Sequence, residues 1–252
     1  MSRTTTTHFS ISALLAVAGA GYTATTEPPA ASVSFASPTD GEHVAGTVGL
    51  AMAAEGITIE AAGEVHEGAG HFHVIADRGC LAAGESIVKD ADHVHFGGGQ
   101  SEGMIYLEPG THELCLQVGD GVHIASDLTA TVSVDVGVDT ADEWCAVVGQ
   151  VVELFTTVDG SDDEFAVKQL GYEGIRRLLA QVRAGLEFVD EDARADVGAS
   201  LSWATDLVTT LVWVRDEAET EALLLPIFER MEEGALPGAE WILEQCGVDI
   251  NG

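Results

Sequence analysis

Lysine is nearly missing from this chain of 252 residues. Lys89 and Lys168 are its only two, and with the arginines they make 10 basic residues against 42 acidic ones. The formal net charge of −32 leaves no basic stripe to neutralise phosphates, which excludes a nucleic-acid partner. An anionic membrane surface repels such a chain for the same reason. Long apolar runs are missing too: the stretch Ile11–Gly21 is too short to span a bilayer. No two cysteines stand in the CxxC spacing of thiolate metal or redox motifs. No phosphate loop, dinucleotide fingerprint or G-x-S-x-G elbow occurs. Asp162-Asp163-Glu164 lacks the alternating ligands of a calcium loop, and Met52 and Met104 alone make no methionine-rich copper(I) carrier. A hydrophobic fraction of 46% nevertheless provides for substantial cores.

What is present begins with an address. Residues 1–31 read as a signal peptide and polar linker: Arg3, the apolar stretch Ile11–Gly21, and Ala18-Gly19-Ala20 as the small-residue cleavage pattern. The run from Leu15 to Gly21 resembles a bacterial lipoprotein signal, but Tyr22 stands where the lipid-accepting cysteine belongs, so no lipid anchor is expected. The expected location is secreted, extracytoplasmic. Four cysteines, Cys80, Cys115, Cys145 and Cys246, suit an oxidising compartment. Of three possible pairings, the organisation of the chain favours Cys80–Cys115 and Cys145–Cys246. Each closes a loop worth roughly 4 to 5 kcal/mol in the chain-entropy model.

Two hydrophobic periods divide the rest. Residues 32–137 carry short alternating runs separated by Gly, Pro and Asp: Ser32–Ala36, Val44–Met52, His71–Asp77, Met104–Leu107, His112–Val118 and Leu128–Val136. They predict an all-β sandwich of the immunoglobulin or cupredoxin kind. Residues 138–252 change to helical spacing. Thr140 with Glu143 forms a capping-box pattern before Trp144, Val147, Val148, Val151 and Phe155, and Ser161 with Glu164 repeats it. Further helices are expected at Asp192–Val214, Ala218–Met231 and Pro237–Gln245, with Gly247 after the last. The four tryptophans fall at core positions of an all-α antiparallel bundle closed by Cys145–Cys246. The whole is a multi-domain chain.

Chemistry concentrates in histidine. Seven of nine histidines lie between His66 and His123. On a strand, residues two apart share a face. His71 and His73 therefore point together, opposite Phe72 and Val74, and His93 with His95, opposite Val94 and Phe96. Two such pairs on neighbouring segments, with His112 and His123 nearby, gather imidazoles, the neutral-pH ligands of copper and zinc. The candidate metal ligands are His71, His73, His93, His95, His112 and His123, with His71, His73, His95 and His123 the first choices among them and Asp120 and Gln100 as supporting partners. The acidic surroundings should raise the histidine pKa values and weaken metal binding as pH falls.

The segments GHFHVIAD, DADHVHFGGGQSE and LEPGTHELCLQVGDGVH, with the closing LTATVSVDV, resemble the domain of unknown function 4399 family over roughly residues 33–136. The matching positions are His71, His73, His93, His95, Gly97, Gln100, His112, Asp120 and His123, with Pro38, Asp40, Gly41 and Val44 ahead of them. The resemblance implies a small extracytoplasmic β-domain and no established activity. The final Cys246–Ile250 is similar to the ends of secreted actinobacterial helical modules. His71–Val74 with Gly119-Asp120 resembles a fragment of copper-zinc superoxide dismutase.

Taken together, these features lead to the expectation of a secreted, non-catalytic protein binding copper or zinc through the sandwich. Its helical half would serve as a spacer or meet another extracytoplasmic protein. An extracytoplasmic interaction module with structural histidines is the alternative, and a copper-dependent dismutase-like enzyme the second.

Overall fold

The computed structural model describes residues 30–160, 165–214, 223 and 236–250. The expected export signal up to residue 29, the cap at Ser161 and, apart from residue 223, the helix Ala218–Met231 lie outside them.

Among the described residues nine strands come first: β1 (Ser32–Ser37), β2 (Glu42–Val44), β3 (Val48–Glu55), β4 (Thr58–Ile59), β5 (Ala69–Ala76), β6 (His93–His95), β7 (Glu102–Ile105), β8 (Gly110–Gly119) and β9 (Ala125–Val136). They form a three-stranded sheet, β1-β3-β7, and a six-stranded sheet, β2-β9-β8-β5-β4, with β6 also paired to β5. Alternation decides the faces. Phe72, Val74 and Ala76 of β5 meet Leu114, Leu116 and Val118 of β8 and Val48, Leu50 and Met52 of β3 in one core. The residues between them, His71, His73 and Ile75, lie on the sheet's other face, and that face is buried as well. The segment after β5 covers it, carrying buried Ile87 and tied down by Cys80–Cys115, whose Cα atoms are 5.5 Å apart.

Val44–Met52 is expected as one strand and is two. Gly46, at φ +82°, turns the chain between β2 and β3, and the turn docks on the helices. There the buried amide of Gln181 accepts from the Gly46 N–H at 2.8 Å and donates to the Gly46 and Leu107 carbonyls at 3.1 and 2.9 Å. Gln150 Oε1 accepts from the Thr47 N–H at 2.9 Å. These are tertiary partners about a hundred residues away, invisible to local periodicity.

The helical region holds α1 (Ala141–Asp159), α2 (Phe165–Ala184), a 3₁₀ turn at Leu186–Phe188, α3 (Arg194–Trp213) and α4 (Ala239–Cys246). Thr140 caps α1, accepting from the Glu143 N–H at 3.2 Å, while the Glu143 carboxylate accepts from the Asp139 N–H at 2.8 Å. Trp144, Val147, Ile175, Leu178, Val182, Val197, Leu201 and Ile242 make the shared core. The Trp144 indole N–H is satisfied there by the Val182 carbonyl at 2.8 Å. Gly247, at φ +68°, ends α4, and Cys145–Cys246 ties that end to α1. Both expected disulfides are present. One tryptophan departs from expectation: Trp213, the last residue of α3, is 78% exposed.

No described helix is long and apolar enough to cross a membrane.

Candidate metal centre

The period-two pattern of β5 puts His71 and His73 on the covered outer face of the six-stranded sheet, at 0% and 1% exposure. Register brings the next ring: His95 of β6 pairs directly with His73. The fourth comes from the tight loop between β8 and β9. Asp120 Oδ1 accepts from the backbone N–H groups of Val122 and Ile124, both at 2.9 Å, and the His123 N–H donates to the Asp120 carbonyl at 3.0 Å. This closure holds His123 at φ +68°, a conformation that costs a residue with a Cβ on the order of 1 kcal/mol. The strain is accepted where it aims an imidazole at the other three.

The four rings form one cluster, with centroids between 4.7 Å and 5.7 Å apart for every pair. Nε2 of His71 lies 2.9 Å from Nε2 of His73, and Nε2 of His123 lies 3.0 Å from Nε2 of His95. One donor atom each from His71, His95 and His123 fall within 4.8 Å of one another, a spacing able to hold a metal ion.

Glycines make the room. A Cβ at Gly97 would stand 2.0 Å from Cε1 of His95. A Cβ at Gly119, the β8 partner of His71, would stand 2.9 Å from Nε2 of His73.

The cluster is short of hydrogen-bond partners. Neutral imidazole has one N–H and one lone pair. If one proton joins the two Nε2 atoms of His71 and His73, the pair still keeps one Nδ1–H and one bare Nδ1. Both Nδ1 atoms are buried without a partner. Leaving buried polar groups unmatched costs about 1–3 kcal/mol each.

Protonation cannot supply the missing partner. Burial drives the His71 imidazole down from 6.5 to about 4, aided by His95 and His123 and opposed by Asp120. Burial and the surrounding histidines push His73 down to about 3. His95 is lowered by burial, His123 and Lys89. The expectation that acidity raises these values is therefore corrected. The excess carboxylates face solvent, whereas the rings face one another in a place that disfavours charge.

The remaining candidates lie elsewhere. Nδ1 of His93 is 2.8 Å from Asp90 Oδ1, so His93 anchors the start of β6 rather than facing the four. His112 has both nitrogens engaged, Nδ1 at 2.6 Å from Asp77 Oδ2 and Nε2 at 2.8 Å from the Glu108 carbonyl. Gln100 Oε1 accepts from the Gly98 N–H at 2.8 Å, shaping the turn after His95. Asp120 also works through backbone, since its hydrogen bonds form the loop that presents His123. The sequence reading missed the role of Gly119, for which the only signal is a glycine inside a strand.

The comparisons bear on this same stretch. Residues 50–138 match the family model Domain of unknown function, DUF4399. The matched segment holds all four clustered histidines and Cys80–Cys115, and stops before α1. It begins within β3, later than the expected start near residue 33. Its description carries no activity. No curated protein and no solved structure matches the chain.

Proposed function

We propose that this is an exported protein whose DUF4399 segment binds a divalent transition-metal ion, copper or zinc, without catalysing a reaction. The observation that carries the reading is the convergence of the His71, His73, His95 and His123 rings, with Nδ1 of His71 and Nδ1 of His73 buried and unpartnered. Such a donor set of imidazoles, without thiolate or clustered carboxylate, suits copper(II) and zinc and is wrong for calcium or magnesium. His71, His95 and His123 would hold the ion, and His73 would complete the set. The bound cation would take up imidazole lone pairs that the cluster turns toward one another. Two disulfides and the absence of a membrane-crossing helix among the described residues are consistent with the exported location. We assign residues 32–137 and 138–252 to two domains, the second supporting the first or meeting another exported protein.

The test is titration of the purified chain with copper(II) and with zinc, beside His71→Ala/His95→Ala/His123→Ala and a His112→Ala control. Tight binding retained by the control and lost by the triple variant is expected. Equal binding by wild type and triple variant would overturn the assignment.

One observation favours a second reading. The Nε2 contacts at 2.9 and 3.0 Å are hydrogen-bonding distances, so without an ion the first can fix the two neighbouring rings of β5 and the second can fasten β6 to the His123 loop. Under that reading the triple variant loses thermal stability by the same amount with and without chelator.

A further inference from the structure

The strand carrying His95 is short and lies on an edge. β6 has three residues and pairs with β5 alone. Among the described residues no further strand lies beyond it, and a cleft of about 330 Å³ is bounded by His93 and His95, by Met104 and Tyr106, and by the helices. Something must hold the entrance to β6 in place, and the helical region supplies it.

Arg177 of α2 reaches across with a side chain only 11% exposed. Its guanidinium donates to Asp92 Oδ1 at 2.7 Å and to the Tyr106 carbonyl at 3.0 Å, and Glu173 orients it from one helical turn back at 3.1 Å. Asp92 immediately precedes β6, and Tyr106 immediately follows β7. One guanidinium thus fastens both edge strands that border the cleft. Asp92 passes the restraint on: its carbonyl accepts from the Ala76 N–H at 2.8 Å at the end of β5, and its N–H donates to Asp90 Oδ1 at 2.9 Å. The same Asp90 oxygen accepts from the His93 N–H at 2.9 Å. His95 follows two residues later. Arg78 also meets Asp92, at 3.1 Å, but from a side chain 65% exposed, where an ion pair contributes little.

We propose that Arg177 is a positioning residue for the histidine cluster, through which the helical region sets the place of His95 and so the affinity for metal. The inference rests on the metal reading above and adds a role for the helical half. Coupling of this kind is reciprocal. A metal ion on His95 must steady the contact between α2 and the segment before β6, just as that contact steadies the ligand.

Arg176 provides a matched control. It also bonds Glu173, at 2.7 Å, and also crosses to the β-region, at 2.8 Å from Glu108, but makes no contact with the segment before β6. The experiment measures copper(II) affinity by chelator competition, the copper(II) electron paramagnetic resonance spectrum, and amide hydrogen exchange in α2 with and without copper. It uses the full chain, Arg177→Met, Arg176→Met and, in case Arg177→Met does not fold, Asp92→Asn. Arg177→Met and Asp92→Asn should weaken copper binding roughly 10- to 100-fold, the size of effect typical for partners behind a ligand. They should also change the spectrum and abolish the copper-dependent protection of α2. Arg176→Met should stay within about fivefold of wild type, since its pairs with Glu173 and Glu108 are partly open to solvent and do not reach the segment before β6. Copper affinity and spectrum unchanged in Arg177→Met or Asp92→Asn would overturn the proposal while leaving the metal reading intact. A wild-type chain that binds neither copper nor zinc would overturn both.

Discussion

His73 and His95 are direct cross-strand partners on β5 and β6, with rings inclined at 30° and centroids 5.1 Å apart. This pairing joins two motifs separated by a long covering segment, and it explains why the cluster has one edge rooted in the sheet's middle and another on its border. His71 and His73 are fixed by β5, which is flanked by β8 on one side and by β4 and β6 on the other. His95 and His123 sit on shorter supports, and both are partly exposed. Substitutions near the second pair should therefore reach the site with less damage to the fold.

Gly97→Ala is the most direct of these. The added methyl would meet the His95 ring at 2.0 Å, so the ring must swing away. The expected outcome is a fall in copper(II) or zinc affinity of tenfold or more, or roughly 1.4 kcal/mol, with the circular dichroism spectrum retained. Gly49→Ala, where a Cβ meets nothing within 4 Å, is the control. Isothermal titration of both variants decides it, and equal affinities would count against His95 as a ligand.

Much of this is legible in the amino-acid sequence. Strict alternation around Phe72 and Val94 put His71 with His73 on one face, and the change of period after Gly137 located the helices. His71, His73, His95 and His123 are the first choices from the sequence, but spacing alone does not warrant the choice, because an HxH pair gives a face and not what shares it. His93 meets the spacing rule as well as His95 does, yet an aspartate three residues back captures it. His112 is likewise taken by Asp77, a residue at φ +56°. The depressed pKa values escaped because net charge is a property of the surface, whereas these rings respond to burial and to one another. The split between β2 and β3 was hidden for a related reason, since Gln150 and Gln181 are what reward it.

Acid should act on the cluster with a definite sign. His71 and His73 have folded-state values of about 4 and about 3, against 6.5 for an ordinary histidine. Below about pH 6.5 the unfolded chain binds protons that the folded chain refuses, so stability rises with pH in that range. Neutral rings contribute their full share above about 6.5. The loss deepens as pH falls, until about 4 for His71 and about 3 for His73. Falling pH also relieves repulsion among the many carboxylates, which works the other way. The measurement is therefore urea unfolding from pH 7.5 to 4.5 of the wild type against His71→Leu/His73→Leu. The wild type should lose stability relative to the variant as pH falls, and parallel pH profiles would contradict the burial of neutral rings.

Metal should stabilise the fold by mass action. An ion that binds only the folded chain, present at 100 times its dissociation constant, adds about 2.7 kcal/mol. Scanning calorimetry in zinc or copper(II) should show a melting temperature several degrees higher than in chelator, with no such rise in His71→Ala/His95→Ala/His123→Ala. A rise of the same size in the triple variant would mean that the ions bind elsewhere, among the exposed carboxylates.

The two disulfides should separate site from scaffold. Cys80–Cys115 lies in the covering of the histidine face, within the same segment as Ile87, whose N–H donates to the His123 carbonyl at 2.8 Å. Cys145–Cys246 closes the helical region, away from the four rings. Removing either native bridge typically costs about 2–5 kcal/mol. Cys145→Ala/Cys246→Ala should therefore lower stability while holding metal affinity near the wild-type value, at a temperature where the chain remains folded. Cys80→Ala/Cys115→Ala should lower both, because loosening the cover lets water reach His71 and His73 and frees the loop that aims His123. Chelator competition on the two double variants, each kept folded by stabilising osmolyte, reads the difference. Equal affinity in both would show that the cover does not hold the site.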